Sequence, residues 1–447
     1  MNTTSPSILD GFGFDSARPE PRLPVPDKPA EKGHEPHTHR PLVRDSIAAQ
    51  ALYQIISGQR VVLIDSPPGG GKTTTLTTLL SHLANRFGTD LPEVTIATPR
   101  REQALNLYHR LSEVMHPAQI SLAVRNMQTP TRPKDALTTP QVREMGRGLV
   151  VIRTVASLKH ARKTQKDASG KRKLLLIDEA YQVTFAEAAA AAAGFDQVVM
   201  VGDPGQIGPV VTVDTGAWET LRRAPHRRAP EAFATMDFAT RMSMGESYRL
   251  GPDTVAAIAP LYPFEFGSAR PQRDLIAPDG QILPEIGHVA VAGVKHSMDP
   301  RLLDAVVQRV SALVGGTAVD TDSEGGQTTS EVTEADVAVV VALNTQVTML
   351  SGMLAAAGLN EVTVGTADKL QGGEWRSVVA LDPMAGGSAS EHHMAPGRLC
   401  VMASRHTTHL SWVHDGEWEQ ALDGAPTQTS TVRTSRKVRK RLTQHAL

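Results

Sequence analysis

The chain has 447 residues, 40% hydrophobic and 21% charged, enough for about three average domains or two large ones with tails. A net charge of −1, from 46 basic against 47 acidic residues, excludes a chain that attracts polyanions as a whole. No apolar run approaches the ~18 residues of a membrane span, and the single cysteine, Cys400, excludes an intramolecular disulfide and any all-cysteine metal site.

The opening Met1-Asn2-Thr3-Thr4 has neither a basic region nor an apolar core, so no secretory signal is expected and a reducing, cytoplasmic setting is. Residues 1–41 are rich in proline and small polar residues without periodicity and read as a disordered tail. His34, His37 and His39 read as part of that tail and not as a metal site. From 42 to 240, apolar runs at 61–64, 94–97, 149–152, 174–177 and 198–201 alternate with helical stretches such as 101–115 and 185–193. Short, near-continuous apolar strands between helices predict a parallel sheet covered on both faces. The alanine run 188–193 reads as a tight-packing or solvent-edge helix. Trp218 and the basic loop from Arg222 to Arg228 offer either stacking and charge to a single strand or a buried Trp beside a solvated loop.

A second α/β set, 241–424, carries strand candidates at 336–343, 361–364, 378–381, 399–402 and 410–413. Within it the Gly/Ser/Thr/acid stretch 317–333 reads as an inserted solvent loop. After Asp423 no acidic residue occurs, while Arg433, Arg436, Lys437, Arg439, Lys440 and Arg441 make 425–447 a basic tail. Such a tail is either solvated and frayed or a source of salt-dependent affinity for a polyanion.

The chemistry begins at Ser66-Pro67-Pro68-Gly69-Gly70-Gly71-Lys72-Thr73, between the first apolar strand and a helix that starts near Thr74. A strand, a glycine loop and a helix N-terminus surround a triphosphate with backbone N–H groups. The spacing fits G-x-x-x-x-G-K-[ST], with Ser66 in place of the first glycine. Pro68, Gly69, Gly70, Gly71 and Thr74 would frame the phosphates of ATP, Lys72 would neutralise the β/γ-phosphates, and the Thr73 hydroxyl would ligate Mg²⁺. The strand 174–177 ends in Asp178 and Glu179, at the sheet edge where ligands bind. Asp178 suits the metal, and Glu179 suits orientation and deprotonation of an attacking water. A third strand end, Gly202-Asp203-Pro204-Gly205-Gln206, presents an amide, Gln206, that both donates and accepts toward the γ-phosphate or the water.

Taken together these segments resemble the superfamily 1 helicases. Ser66–Thr73 is similar to motif I, Asp178–Gln182 to motif II and Gly202–Gln206 to motif III. Ala97-Thr98-Pro99-Arg100 resembles motif Ia, and Thr154-Val155-Ala156-Ser157 resembles motif Ic. Ser247-Tyr248-Arg249 is similar to motif IV, Val364–Glu374 to motif V and Arg398–Arg405 to motif VI. Gln50 stands where the family places its adenine-reading glutamine. Asp178-Glu179-Ala180-Tyr181-Gln182 and Asn344-Thr345-Gln346 look most like the RNA-surveillance branch, the B subgroup.

The resemblance implies two RecA-like P-loop domains with parallel sheets in tandem, ATP in the cleft between them, and Arg249 and Arg405 on the γ-phosphate. It also implies that Tyr248 stacks on adenine and Glu374 approaches the nucleotide or the strand. Thr98, Arg100, Thr154, Ser157 and Thr366 then touch the nucleic-acid backbone, where contacts hold register without reading sequence. Fewer than fifty residues from Leu105 to Gly148 stand where larger helicases insert whole domains. The expected function is an ATP-dependent helicase or translocase on single-stranded DNA or RNA, 5′-to-3′ by the B-subgroup resemblance, with a protein loader or a replication or repair partner left open. A nucleotide-switched binding or remodelling ATPase without processive unwinding is the alternative. A small-molecule kinase with the same loop leaves 240–405 unexplained.

Overall fold

The computed structural model describes residues 42–87, 92–115, 119–123, 150–161, 172–387, 389–425 and 429–447. The tail expected at 1–41, most of the 105–148 interval beyond the helix there, and Leu149 lie outside the described residues. The chain forms two compact units. The first runs to Ser66 and includes Gly71–Asp203 and Gly208–Met244; the second comprises Pro67–Gly70, Pro204–Ile207 and Gly245–Leu447.

In the first unit the apolar runs become β1 (Val61–Asp65), β2 (Glu93–Thr98), β3 (Ile120–Leu122), β4 (Val150–Thr154), β5 (Lys173–Ile177) and β6 (Gln197–Gly202), joined by β7 (Ala239–Ser243). They form one parallel sheet in the order β3-β4-β2-β5-β6-β1-β7. Both faces are covered, as continuous apolar strands require. Val62 and Ile64 of β1 face a core with Leu76, Leu79 and Leu107, whereas Val61 and Leu63 face Phe185, Ala188 and Phe233. The alanine-rich helix Phe185–Ala192 is the tight-packing kind, with Ala188, Ala189, Ala191 and Ala192 buried. Its start is set by a capping box, in which Thr184 and Glu187 satisfy each other's backbone N–H groups.

The second unit adds β8 (Glu246–Ser247), β9 (Gly267–Ser268), β10 (Arg273–Ile276), β11 (Ile282–Leu283), β12 (Ile286–Ala290), β13 (Thr317–Thr321), β14 (Gln327–Glu331), β15 (Val337–Val341), β16 (Thr363–Thr366), β17 (Trp375–Leu381) and β18 (His406–His414). A parallel sheet runs in the order β12-β18-β17-β15-β16. An antiparallel sheet of order β11-β10-β13-β14 lies beside it in the chain. The α/β class with two parallel sheets is therefore the architecture observed.

Three expectations are corrected. Residues 399–402 are helical, not extended: Pro396 opens the helix Pro396–Ala403, in which Leu399 to Ala403 are all buried. An apolar run without alternation carries no period to separate the two states, and the proline at the first turn decides for the helix. Residues 317–333 are not a plain loop but the β13–β14 hairpin. Its threonines suit strands, and Asp322 turns the chain by accepting from Glu324 N (2.9 Å) and Gly326 N (2.7 Å), with Gly325 at φ +86°.

Nor is the basic tail frayed over its described residues 429–447. Ser430–Leu442 is a helix capped by Thr429, with Val432, Val438 and Leu442 buried. Arg439 is fully buried and forks onto Asp382, Nε to Oδ2 at 2.8 Å and Nη2 to Oδ1 at 2.7 Å. Beyond the helix the chain pairs with β12, where His288 N donates to His445 O (2.8 Å) and Leu447 N to His288 O (3.0 Å). Gly287 admits that pairing, since a Cβ there would stand 2.4 Å from Leu447 Cγ.

Candidate functional site

In the first unit β5, β6 and β1 are adjacent and parallel, so three chemically loaded strand ends converge: Asp178-Glu179, Gly202-Asp203, and the start of the phosphate loop. β4 and β2 continue the same edge and end in Thr154 and Thr98. Ser66 N donates to Gly202 O (2.9 Å), tying the loop to the neighbouring strand. The left-handed turns fall at Gly69 (φ +70°) and Gly71 (φ +83°) and not at Ser66, so the serine needs none of glycine's freedom. The helix Lys72–Phe87 then starts, with Thr75 N on Gly71 O (2.8 Å).

Lys72 Nζ meets Glu179 Oε1 at 2.7 Å. Burial pushes the Lys72 pKa down, but the charges of Glu179, Asp203 and Asp178 outweigh it, so the net direction is up and the ammonium stays charged. Asp178 is pushed up to about 6, by burial first and then by the Glu179 charge. Glu179 has a left-handed backbone (φ +53°), the costly kind of conformation that clusters at functional sites. Glu179 N donating to Asp178 Oδ1 (2.9 Å) and Gln182 N donating to Glu179 O (2.9 Å) hold it. Gln182 Nε2 also reaches Glu179 Oε2 at 3.3 Å.

Two residues that sequence reasoning missed brace this edge. Asp65, buried at the end of β1, accepts Tyr181 OH (2.8 Å) and Arg241 Nε (2.6 Å), while Arg241 Nη2 donates to Tyr181 OH (2.9 Å). The triad fixes the strand that launches the phosphate loop to the turn that carries Glu179. Asp65 and Arg241 lie 176 positions apart, so no local pattern marks them as partners.

Gln50, on the helix Ile47–Ile56, donates to Asp45 O at 2.9 Å and supports that residue's left-handed backbone. Thr98 is buried and its hydroxyl donates to Arg100 O (2.9 Å), whereas Arg100 is exposed. Thr154 and Ser157 cap each other, Ser157 N on Thr154 Oγ1 (3.3 Å) and Ser157 Oγ on Thr154 O (2.8 Å). Trp218 is 38% exposed and so not buried. Of the neighbouring arginines, Arg223 binds Thr235 and Arg227 the Glu219 carbonyl, which leaves Arg222 as the exposed cation.

In the second unit, Ser247 Oγ donates to Pro68 O (2.7 Å) and Tyr248 N to Gly69 O (3.0 Å). A Cβ on Gly69 would stand 2.4 Å from Arg249 Cβ, so only glycine allows that approach. Gly70 N donates to Pro67 O (3.0 Å). Gln206 is buried and accepts from Gln371 Nε2 at 3.0 Å. Tyr248 is 56% exposed, its ring available for stacking. Arg249 Nη1 meets Glu374 Oε2 at 3.3 Å, and Arg405, 1% exposed, donates to Ser404 Oγ (3.0 Å) and Gly373 O (3.5 Å). Glu374 and Arg405 precede β17 and β18, whereas Thr366 closes the parallel strand β16. Thr366 is thereby set at the opposite strand ends from the two charged groups, and it is buried.

Among the described residues no helix is long and apolar enough to cross a membrane, and no group of three or more His, Cys, Asp or Glu could hold a metal. The Thr73 hydroxyl and the Asp178 carboxylate are hard oxygen donors of the kind Mg²⁺ takes, an ion that keeps most of its waters and needs few protein ligands.

Residues 48–231 match the AAA domain family, a stretch that carries the phosphate loop, Asp178-Glu179 and Gln206. No curated protein matches the chain. Among solved structures it is similar to the arterivirus nonstructural protein 10 helicase, at 14% identity over 83% of this chain and 61% of that one, with a TM-score of 0.44. The complex of that helicase with DNA gives 14% identity, 82% and 63% coverage and 0.44. The PRRSV helicase gives 15%, 89% and 69%, and 0.43. This chain spans less than two thirds of the length of the first two.

Proposed function

We propose that the protein hydrolyses ATP and couples hydrolysis to movement along single-stranded DNA or RNA, as a superfamily 1 helicase or translocase. The observation that carries this reading is the convergence of Lys72, Asp178 and Glu179 at adjacent parallel strand ends, with Lys72 Nζ and Glu179 Oε1 2.7 Å apart. Thr154 and Arg100 end or follow the next two strands of that edge and supply polar and cationic groups for a sugar–phosphate backbone.

Lys72 would bind the β/γ-phosphates, and in doing so exchange Glu179 for phosphate oxygens. The freed carboxylate then orients and deprotonates the attacking water. Thr73 and Asp178 would hold Mg²⁺, which when bound supplies charge compensation to the phosphate oxygens. Arg249 and Arg405 are the cations assigned to the charge that develops on the transferred phosphoryl group. Gln50 and Tyr248 are assigned to adenine, Gln206 to the γ-phosphate or the attacking water, Glu374 to the nucleotide or the strand, and 5′-to-3′ movement follows from the B-subgroup resemblance.

Steady-state ATPase with and without single-stranded DNA and RNA tests the reading. Lys72→Ala is expected to abolish turnover. Glu179→Gln is expected to bind ATP normally and to hydrolyse it at least about 100-fold more slowly. A Glu179→Gln protein with normal turnover removes the base assignment. Stimulation without strand displacement would favour a nucleotide-switched binding protein, and no stimulation by either polymer would favour small-molecule phosphoryl transfer.

A further inference from the structure

Arg249 and Arg405 converge on one loop of the second unit: Arg249 Nη1 lies 3.3 Å from Glu374 Oε2, and Arg405 Nη1 lies 3.5 Å from Gly373 O. His406, the next residue in the chain, is fully buried. Its Nε2 is 2.9 Å from Thr254 Oγ1. Thr254 Oγ1 is also hydrogen bonded to Glu285 Oε1, which in turn accepts Thr254 N at 3.1 Å. Glu285 Oε2 accepts Asp253 N (3.1 Å) and faces Arg270 Nη2 (3.9 Å), so both carboxylate oxygens are used as acceptors.

The direction of each bond follows. The threonine proton goes to Glu285, so Thr254 Oγ1 can only accept from His406, and the histidine proton is on Nε2. That leaves Nδ1 as a bare acceptor. His406 Nδ1 is buried without a hydrogen-bond partner among the described residues, and so is a donor, Arg249 Nε. Orphaned buried groups of this kind are rare in folded proteins. Burial and the nearby charges of Arg270, His409, Arg249 and Arg405 all act against a protonated ring.

We propose that His406 is a positioning residue for Arg249: the Glu285–Thr254 relay fixes its tautomer, and its bare Nδ1 receives Arg249 Nε–H when the guanidinium turns from Glu374 to the phosphoryl group. A neutral acceptor close enough to feel the charges of Arg249 and Arg405 orients Arg249 without adding a third positive charge. The inference rests on the ATP hydrolase reading, and it adds a residue outside the motifs that carry that reading.

The test is a set of full-chain variants assayed for nucleic-acid-stimulated ATP hydrolysis, with thermal melting alongside. An asparagine places an oxygen acceptor near the Nδ1 position, whereas a glutamine reaches the Nε2 position and loses Nδ1. His406→Gln is expected to lower kcat between about 10- and 100-fold with KM for ATP unchanged. His406→Asn is expected to recover most of that loss, and Thr254→Val, which frees the tautomer, to fall with His406→Gln while Thr254→Ser does not. A His406→Gln protein with wild-type kcat overturns the inference. So does an equal loss in His406→Gln and His406→Asn that follows their melting temperatures, which makes the histidine structural. If the wild type itself hydrolyses no ATP, the functional reading fails and takes the inference with it; wild-type turnover with an indifferent His406→Gln sinks the inference alone.

Discussion

Ser66 stands where the phosphate-loop pattern asks for glycine, and the backbone explains why the serine is accommodated. The loop's left-handed turns occur at Gly69 and Gly71, while Ser66 is buried and bonded through its N–H to Gly202 O. Restoring the pattern with Ser66→Gly should therefore not tighten nucleotide binding. It should destabilise the fold by about 0.5–1 kcal/mol, because glycine loses more chain entropy on folding. Nucleotide titration and chemical denaturation of the same protein check both halves, and a variant that binds ATP several-fold more tightly refutes the geometric account. The same scale shows what a motif can and cannot convey. Lys72 and Glu179 are legible as types at a spacing, but the left-handed backbone that aims Glu179 at Lys72 comes from the turn Asp178–Gln182 and is invisible in the letters. Nor do the letters show that the Thr98 hydroxyl is bonded to Arg100 O.

At the scale of elements, the strands of the first unit were legible because burial on both faces writes itself as uninterrupted apolar runs. Where that signal is ambiguous the reading failed, as at 399–402, whose apolar run has no period. The helix Ser430–Leu442 failed for another reason. Its stripe Val432, Ser435, Val438, Leu442 has helical spacing, but six cations drew attention to the charge instead of the stripe. One of those cations is a core group, with Arg439 and Asp382 forming an ion pair fully removed from solvent. Breaking one side of a buried pair leaves an uncompensated charge and costs about 3–5 kcal/mol. Arg439→Ala should lose that much stability and expose 429–447 to protease. Asp382→Leu combined with Arg439→Leu should recover most of it, since an apolar pair carries no desolvation cost. Equal stability of Arg439→Ala and wild type, by denaturant titration, would falsify the pairing as a stabilising element. The remaining five cations of the helix stay candidates for polyanion contact, with Arg436 paired to Asp423 and Lys440 near Glu419.

Over the whole molecule the two units carry opposite responses to acid, and neither is visible in a net charge of −1. In the second unit His409 is held down to about 4, by burial and the Arg309 charge against the favourable Pro284 carbonyl, and His406, His414 and His288 are lowered in the same direction. A histidine depressed in the fold is neutral there and protonates first in the unfolded chain. From the ordinary 6.5 down to about 4 the unfolded state therefore binds more protons, and stability falls as pH falls. For His409 alone the full loss is about 3 kcal/mol. Asp178 in the first unit has the opposite sign: raised to about 6, it is protonated in the fold before it is in the unfolded chain, so that unit gains stability as pH falls from 6 toward the ordinary 3.8. Hydrogen exchange by mass spectrometry at pH 7 and pH 5, corrected for the intrinsic rates, separates the two. Segments covering β17 and β18 should lose protection at pH 5, while those covering β5 and the start of the helix Lys72–Phe87 should keep or gain it. Parallel loss in both sets would show that Asp178 does not hold its proton in the fold. If instead only the second unit loosens, acid should remove the positioning of Arg249 before it disturbs the phosphate loop, and nucleotide binding should outlast turnover as the pH is lowered.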